Sequence, residues 1–169
     1  AVLSFMGKRE TLDLLARLLG TSEFLWEDLF RIQFKNLLPI LRSFKKVGLL
    51  RNKIQMRRQL KRFLSHGQTL ESKKKILNEH KDQELFRIDM KHLLGSPNDL
   101  VVFSRAVTDL ADVILEEAYG VCHRHLKKQY GRPLLSNGAA CPFTICGLGK
   151  FGGREMGYAS DIELLFIYG

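Results

Sequence analysis

The feature that most constrains the fold is a change of hydrophobic periodicity at Gly131-Arg132-Pro133. Before these residues, apolar side chains recur at the three- and four-residue spacing of helices; after them come short apolar runs with the character of strands. A chain of 169 residues holds one ordinary domain or two very small ones. The sequence therefore predicts an α+β fold that is mainly α, with a helical region over 1–133 and a sheet-forming region over 134–169.

Helices are predicted at several places before residue 50, near 51–65, from Thr69 to Gly95, and from about residue 97 to the stop signal at Gly131. Ser96-Pro97-Asn98-Asp99 supplies the N-cap and first turn of the last helix. We expect its apolar stripe to be core, with Leu100, Phe103, Leu110 and Ile114 buried together. The apolar side of the helix near 51–65 is predicted to be Ile54, Leu60, Phe63 and Leu64.

Positive charge is concentrated in one segment. The net charge is +9, but residues 35–75 hold thirteen Lys or Arg and one acid, so the remainder sums to −3. On a helix, Lys53, Arg57 and Lys61 share one face. This stripe is either a phosphate-binding surface, for nucleic acid or a charged partner, or a solvated helix face. The absence of interleaved aromatic residues favours the solvated face.

Several classes of protein are excluded by the sequence. No apolar run reaches the roughly 18 residues that a membrane-spanning helix needs, and the first ten residues are charged too early for a secretory signal. Three cysteines without a CxxC pattern indicate reduced thiols in a cytoplasmic protein. Because the chain opens with Ala1 and stops at Gly169 after an apolar run, we expect a piece of something longer.

The segment with the clearest chemical signal is GLGKFGGREMGYASDIE, residues 147–163. A dinucleotide-binding GxGxxG would need a crossover helix for which too few residues remain before Ser160. A Walker A loop would need Ser or Thr after Lys150, and a kinase glycine loop would not continue into Arg154 and Glu155. These three phosphate-binding interpretations are therefore disfavoured.

A fourth interpretation is a short strand, a glycine turn that opens a short helix, and a second strand from Ile162 to Tyr168. On such a strand Asp161 and Glu163 would project from one face, as paired carboxylates do at sites for two Mg²⁺ ions. Gly152 and Gly153 lack Cβ atoms, so their N–H groups could approach a phosphate. Alternatively, Asp161 caps a turn and Glu163 lies at a sheet edge. The apolar run after Glu163 predicts a central strand covered on both faces.

This segment, continued to Tyr168, resembles the signature of the glutamine synthetase adenylyltransferase family. The matching positions are Gly149-Lys150, Gly152-Gly153, Glu155, Ser160-Asp161 and the apolar run 164–167. Four shorter elements resemble the same family in the same order: residues 19–25, 85–90, 110–112 and 130–133. The resemblance covers nearly the whole chain.

The resemblance implies a nucleotidyltransferase of the DNA polymerase β type, preceded by a helical region. Enzymes of this family carry two catalytic units. One transfers AMP from ATP to a tyrosine of glutamine synthetase, and the other removes the AMP by phosphorolysis. PII signal proteins and glutamine set the balance between them. The implied partners are therefore glutamine synthetase, a PII-type protein and a nucleotide, with no membrane; nucleic acid is a partner only in the alternative given below.

The resemblance also assigns roles to residues. Asp161 and Glu163 would be the catalytic carboxylates and the ligands of Mg²⁺ or Mn²⁺, and Gly152, Gly153, Ser160 and Lys150 would contact the nucleotide. Glu163 stands where the family usually has Asp. A third carboxylate is expected on a later strand, so the chain alone is expected to be inactive. Two alternatives remain: a nucleotidyltransferase that acts on nucleic acid, and a non-catalytic helical interaction module with a degenerate remnant of the site.

Overall fold

The computed structural model describes Ala16 and residues 50–94, 100–157 and 160–169. The chain divides into two compact units, one of Ala1–Leu50 with Asp82–Leu100 and one of Arg51–Lys81 with Val101–Gly169. The helices predicted before residue 50 and the N-cap predicted at Ser96 lie outside the described residues. The boundary predicted between residues 133 and 134 stays a prediction.

Three long helices occupy the positions that the sequence predicts. They are α1 (Lys53–Leu64), α2 (Leu70–Leu94) and α3 (Leu100–Tyr130). α3 ends where the stop signal predicts, because Gly131 has φ +85° and donates its N–H to the carbonyl of Lys127 at 3.0 Å.

Reciprocal hydrogen bonds start the first two helices. Asn52 Oδ1 accepts from the Gln55 N–H at 2.9 Å, while Gln55 Oε1 accepts from the Asn52 N–H at 3.0 Å. Thr69 and Ser72 make the same exchange before α2, at 3.1 and 3.0 Å. Each pair satisfies backbone N–H groups that the first helical turn leaves without an intrahelical acceptor.

The core beside α3 follows the predicted stripe with two corrections. Buried apolar residues include Met56, Leu60 and Leu64 of α1 together with Phe103, Val107, Leu110, Ala111, Val113 and Val121 of α3. Ile54 is 70% exposed and Leu100 is 61% exposed, so both were wrongly predicted as core. Ile54 and Leu100 stand at or near the start of their helices, and Met56 takes the buried place in the first turns of α1. Ile114 is half-buried.

The basic stripe of α1 binds acidic residues of α3. Lys53 Nζ lies 2.7 Å from Asp112 Oδ2, and the Arg57 guanidinium pairs with Glu116. Both members of the second pair lie four residues beyond those of the first, so the two helices run parallel. Lys53 and Arg57 thus form a contact between helices, which the sequence analysis did not predict because a sequence does not show which helices are neighbours. The Lys61 side chain is 62% exposed, and Arg58 and Arg62 beside it are exposed, so this part of the stripe is the solvated face that the sequence favoured.

The third cation of the stripe extends this contact. Lys61 Nζ lies 3.6 Å from Glu117 Oε1, and Glu117 is buried. A buried carboxylate needs a compensating partner, whereas Lys61 itself is largely exposed. Lys61, near the end of α1, therefore places a positive charge beside the buried Glu117 carboxylate of α3.

The unit that contains residues 82–94 has its own buried residues. Phe86 and Ile88 are buried there, as are Glu84 and Asp89. The Glu84 carboxylate lies 3.4 Å from Arg87 Nε, one helical turn along α2. This half of α2 thus buries both apolar and charged side chains.

A two-stranded antiparallel sheet follows the helices. β1 (Phe143–Gly147) pairs with β2 (Leu164–Tyr168), with Phe143 opposite Tyr168 and Gly147 opposite Leu164. Between the strands lies the short helix α4 (Gly149–Gly152). The structure therefore confirms the α+β class with mainly helical content.

Phe143 of the sheet packs against α3, whereas Phe166 and Tyr168 on the same face are 54% and 74% exposed. The Phe143 ring stacks on Tyr119 of α3 at 5.2 Å between centroids, and Phe166 lies beside Phe143 at 6.0 Å. On the other face, Leu165 and Ile167 are each about half exposed. The prediction that β2 is covered on both faces does not hold for the described residues, where β2 pairs with β1 alone. None of the described helices is long and apolar enough to cross a membrane.

Candidate functional site

The glycine turn, residues 147–153, folds back tightly on the end of β1. A Cβ atom on Gly152 would lie 2.4 Å from the carbonyl oxygen of Gly147, and one on Gly147 would lie 2.5 Å from the ring of Phe151. Gly149 has φ +51°, a conformation that L side chains rarely adopt. The GxGxxG spacing therefore serves the packing of this turn, which explains the pattern without a dinucleotide.

Gly153 differs from these three glycines. Its φ is −75°, and an added Cβ would come no closer than 3.4 Å to its nearest neighbour, the Gly149 carbonyl oxygen. The fold therefore does not require glycine at this position, although Gly153 is exposed at the end of α4. The Gly153 N–H donates to the Gly149 carbonyl oxygen at 2.9 Å, and the Gly152 N–H donates to the Leu148 carbonyl oxygen at 2.9 Å, so both N–H groups that the sequence predicted for a phosphate already have acceptors within the turn.

Glu163 is held directly against the glycine turn. Its carbonyl oxygen accepts the Leu148 N–H at 2.9 Å, which extends the ladder one residue beyond β2. A Cβ on Gly149 would lie 2.6 Å from Glu163 Oε2, so the carboxylate occupies the space that a side chain at 149 would fill. The structure thus brings a predicted metal ligand into contact with the predicted phosphate-binding turn.

Asp161 lies two residues earlier, also before the first residue of β2. The predicted strand began at Ile162, whereas the observed strand begins at Leu164, so the two carboxylates lie on the segment that enters the strand. The prediction that both carboxylates lie on the strand is therefore wrong, because the strand begins only where pairing with β1 begins. Asp161 and Glu163 are both exposed. Neither side chain forms an ion pair or hydrogen bond with any residue that the structure describes.

The other predicted nucleotide contacts have different surroundings. Ser160 Oγ accepts the Gly157 N–H at 2.8 Å, so this hydroxyl orders its own turn. Lys150 is exposed on α4, and Gly152 ends that helix. α4 spans Gly149–Gly152, whereas the predicted short helix began near Gly152. The contacts of the described residues join Glu163 to the turn and leave Asp161 and Ser160 apart from it.

Two carboxylates fit a magnesium ion that also binds phosphate. Mg²⁺ usually keeps several waters and takes one or two protein carboxylates together with substrate phosphates. Within the described part of the chain, no group of three or more His, Cys, Asp or Glu side chains is placed to hold a metal. Asp161 and Glu163 therefore suit a site that a nucleotide would complete.

Arg154 anchors the glycine turn to α3, a contact that the sequence analysis missed. It has φ +59°, and its guanidinium bonds to Asp109 and, at 3.2 Å, to Asp112 Oδ2. The Asp109 carboxylate raises the pKa of the Arg154 guanidinium, and Asp112 adds to the rise against the opposing effect of desolvation. Asp112 also accepts Lys53, so one carboxylate joins α1, α3 and the turn. The resemblance at Leu110-Ala111-Asp112 was the available signal.

Comparison with known proteins gives a family that covers nearly the whole chain. The model of the glutamate-ammonia ligase adenylyltransferase family matches residues 12–169. Relatives named bifunctional glutamine synthetase adenylyltransferase/adenylyl-removing enzyme come from several bacteria. That of Alteromonas mediterranea is 38% identical over 56% of this chain and 9% of its own length.

Two further relatives with the same name extend the comparison. That of Pseudomonas aeruginosa is 36% identical over 59% of this chain and 10% of its own length. That of Shewanella woodyi is 30% identical over 91% of this chain and 16% of its own length. The chain thus spans 9% to 16% of the length of these three relatives. The glycine turn, the acidic segment after it and the helices before it all fall within the matched range, and the chain belongs to the glutamate-ammonia ligase adenylyltransferase family.

Proposed function

We propose that this chain supplies part of the nucleotide site of an enzyme that adds AMP to, or removes it by phosphorolysis from, a tyrosine of glutamine synthetase. The observation that carries the proposal is the close contact of the Glu163 carboxylate with Gly149 in the glycine turn. Asp161 is exposed two residues away. The relatives named above are adenylyltransferases and adenylyl-removing enzymes of glutamine synthetase. That function requires an acidic group beside a phosphate-binding turn, which this arrangement supplies.

Asp161 and Glu163 would hold Mg²⁺ or Mn²⁺. The metal would supply charge stabilisation to the transferring phosphoryl group and to its attacking and leaving oxygens. Glu163 is positioned for this role by the Leu148–Glu163 hydrogen bond and by the space above Gly149. Asp161 needs no partner to be displaced before it binds a ligand, since no described residue neutralises its carboxylate.

The glycine turn would bind the phosphates of ATP. Gly153 places no side chain in the way of a phosphate, and the exposed Lys150 side chain extends from the adjacent short helix as a cation. Ser160 would contribute its hydroxyl proton, because its oxygen already accepts the Gly157 N–H. These groups bind and orient a phosphate chain without taking part in bond making.

The surroundings of the site bear on its partners. Glutamine synthetase is the proposed protein substrate, a PII-type protein the proposed regulator and the cytoplasm the proposed location. A polynucleotide substrate would use the cations of the basic segment, of which Lys53, Arg57 and Lys61 already bind carboxylates of α3. The names of the relatives, and not the charge of this segment, support the protein substrate.

Manganese with ATP tests the proposed site on this chain directly. In a ¹⁵N-labelled sample, paramagnetic Mn²⁺ should broaden the amide signals of residues 148–153 and 160–164 before all others. Combined Asp161→Asn and Glu163→Gln substitutions should abolish this selectivity, because both anionic ligands are then neutral. Glu155→Gln is the matched control and should preserve it. Broadening centred elsewhere, or unchanged in the double variant, would contradict the proposed site.

A further inference from the structure

A small basic pocket lies between the start of α2 and the last turns of α3. It has a volume of about 160 Å³, and its apolar lining comes from Leu70 and Val121. Four of its other lining residues are basic: Lys73, Arg124, His125 and Lys128. No acidic residue among those that the structure describes lines it, and Glu71 of the first turn of α2 is not among its walls. The pocket therefore presents concentrated positive charge to solvent.

The charge of this pocket is not neutralised as the charge of α1 is. α3 contains four acidic residues, all before Ala118, and each pairs with a cation of α1 or with Arg154. They are Asp109, Asp112, Glu116 and Glu117. Residues 118–130 contain basic side chains and no acid. Lys73, Arg124 and Lys128 form no ion pair with any described residue. These three groups are therefore available to bind an anion from solution.

Two glycines make room for two of the cationic side chains. A Cβ on Gly67 would lie 2.8 Å from Cγ of Lys73, and a Cβ on Gly120 would lie 3.2 Å from a guanidinium nitrogen of Arg124. Gly120 stands in the interior of α3, where glycine destabilises a helix relative to alanine. The space that both glycines leave is used by side chains of the pocket. A helix C-terminus attracts cations by itself, but that attraction does not explain Lys73 of α2.

We propose that this basic pocket binds a phosphate group. Its volume of about 160 Å³ admits a group of the size of a phosphate. The Arg124 guanidinium offers the planar fork that phosphates prefer, and the N-terminal end of α2 favours an anion. Along α3, residue 124 lies about 18 Å from Asp112 at 1.5 Å per residue, so the pocket is separate from the glycine turn. The phosphate is either inorganic or part of a nucleotide.

A phosphate titration followed by amide NMR tests the proposal. The ¹⁵N-labelled chain is titrated with inorganic phosphate, with sodium chloride keeping the ionic strength constant. We expect saturable shifts in residues 67–73 and 120–128. Lys73→Gln and Lys128→Gln should each weaken binding about three- to fivefold, as expected for one exposed charge. Unchanged spectra elsewhere in each variant would show that the fold is intact.

Matched controls lie next to both residues. Lys74→Gln and Lys127→Gln remove the same charge from the same helical turns, but neither residue lines the pocket. Both variants should retain the affinity of the unaltered chain. Shifts that never saturate, or equal weakening by Lys127→Gln and Lys128→Gln, would overturn the proposal, because they indicate general attraction to a basic surface.

A second titration distinguishes the two sources of phosphate. A nucleoside triphosphate without divalent metal replaces inorganic phosphate under the same conditions. Tighter binding that is equally sensitive to Lys73→Gln and Lys128→Gln would identify a nucleotide as the ligand. Equal affinity for the two probes would identify the single phosphate group. Triphosphate binding that ignores both substitutions, together with no inorganic phosphate binding, would contradict the pocket.

Discussion

The contact between α1 and α3 and the segment around the glycine turn use charged residues in opposite ways. Between the two helices, Lys53 and Arg57 each bind a carboxylate of α3. After the glycine turn, Asp161 and Glu163 are exposed and pair with no described residue. Charges of the first kind position helices, whereas charges of the second kind remain available to a ligand. The difference shows that the neutralisation of a charge within the fold indicates its role better than its presence in a motif.

The two regions also differ in apolar burial. Met56, Leu60 and Val113 of the helical region are at most 1% exposed, whereas Leu165 and Ile167 of β2 are about half exposed. Burial of apolar area is the main favourable term in folding. We therefore expect substitutions among the helices to change stability, and substitutions of the acidic segment to change ligand binding and catalysis.

The largest effect is expected from Asp161→Asn. Made in a full-length enzyme that carries this chain, it should lower the rate of AMP transfer or removal by roughly a thousandfold, because charge stabilisation of several kcal/mol is lost. The measurement is metal-dependent AMP transfer to glutamine synthetase, or its phosphate-dependent release. Glu163→Gln should act similarly, and the thermal midpoint of the protein should hardly change.

Glu155→Gln is the control for that prediction. Glu155 follows α4 and lies beside Gly153, whereas Glu163 lies beside Gly149, so substitution of Glu155 should have a much smaller effect on the rate. Equal losses for Glu155→Gln and Asp161→Asn would show that overall negative charge matters and that no carboxylate has a special position. Robust turnover by residues 1–169 alone would contradict the expectation that a third carboxylate is needed.

Leu110→Ala should give the largest loss of stability. Leu110 is 3% exposed in α3, and removal of such a side chain destabilises by about 2–5 kcal/mol when the site cannot collapse. The measurement is urea unfolding followed by circular dichroism. Leu100→Ala makes the same chemical change on the same helix, but Leu100 is 61% exposed and should cost about 0.5 kcal/mol or less. A similar loss in both variants would contradict the observed burial.

Gly152→Ala and Gly153→Ala separate packing from ligand binding within the glycine turn. The added methyl group at 152 would meet the Gly147 carbonyl at 2.4 Å, so we expect a loss of about 1–3 kcal/mol. Gly153→Ala should leave the free energy of unfolding unchanged or raise it slightly, because its φ suits alanine. If Gly153 faces the phosphates, Gly153→Ala should still weaken ATP binding. Equal destabilisation by both substitutions would contradict the geometry of the turn.

Much of the fold could be predicted from local sequence signals. The ends of α2 and α3 follow from Thr69 and Gly131, since capping and left-handed glycine act within a few residues. The start of β2 was predicted less accurately. It is set by where pairing with β1 begins, which is a contact between distant residues. Burial of Ile54 was wrongly predicted because the orientation of α1 is set by its contacts with α3.

The candidate site shows the same limit. The acidic pair and the glycines were recognisable by spacing, and family resemblance assigned their roles. The anchoring of the turn by Arg154 joins residues 42 and 45 positions apart, so no local pattern could indicate it. Contacts at such separation depend on tertiary structure, which a single sequence does not state.

Asp112→Asn should produce the smallest of these effects and sharpen the comparison most directly. It weakens the bonds of Asp112 to Lys53 and Arg154, each worth up to about 1 kcal/mol when partly exposed, so we expect a loss of about 1 kcal/mol in urea unfolding. The loss should shrink in 1 M salt, because screening weakens the pairs in the unaltered chain. Glu79→Gln is the control, since Glu79 pairs with Lys75 on the surface of α2 and its loss should cost about 0.3 kcal/mol. If Asp112 positions the turn as well as stabilising it, Asp112→Asn should also speed amide exchange in residues 149–155, whereas Glu79→Gln should not. Unchanged amide exchange in residues 149–155 would show that Asp112 stabilises the contact between α1 and α3 but does not position the turn.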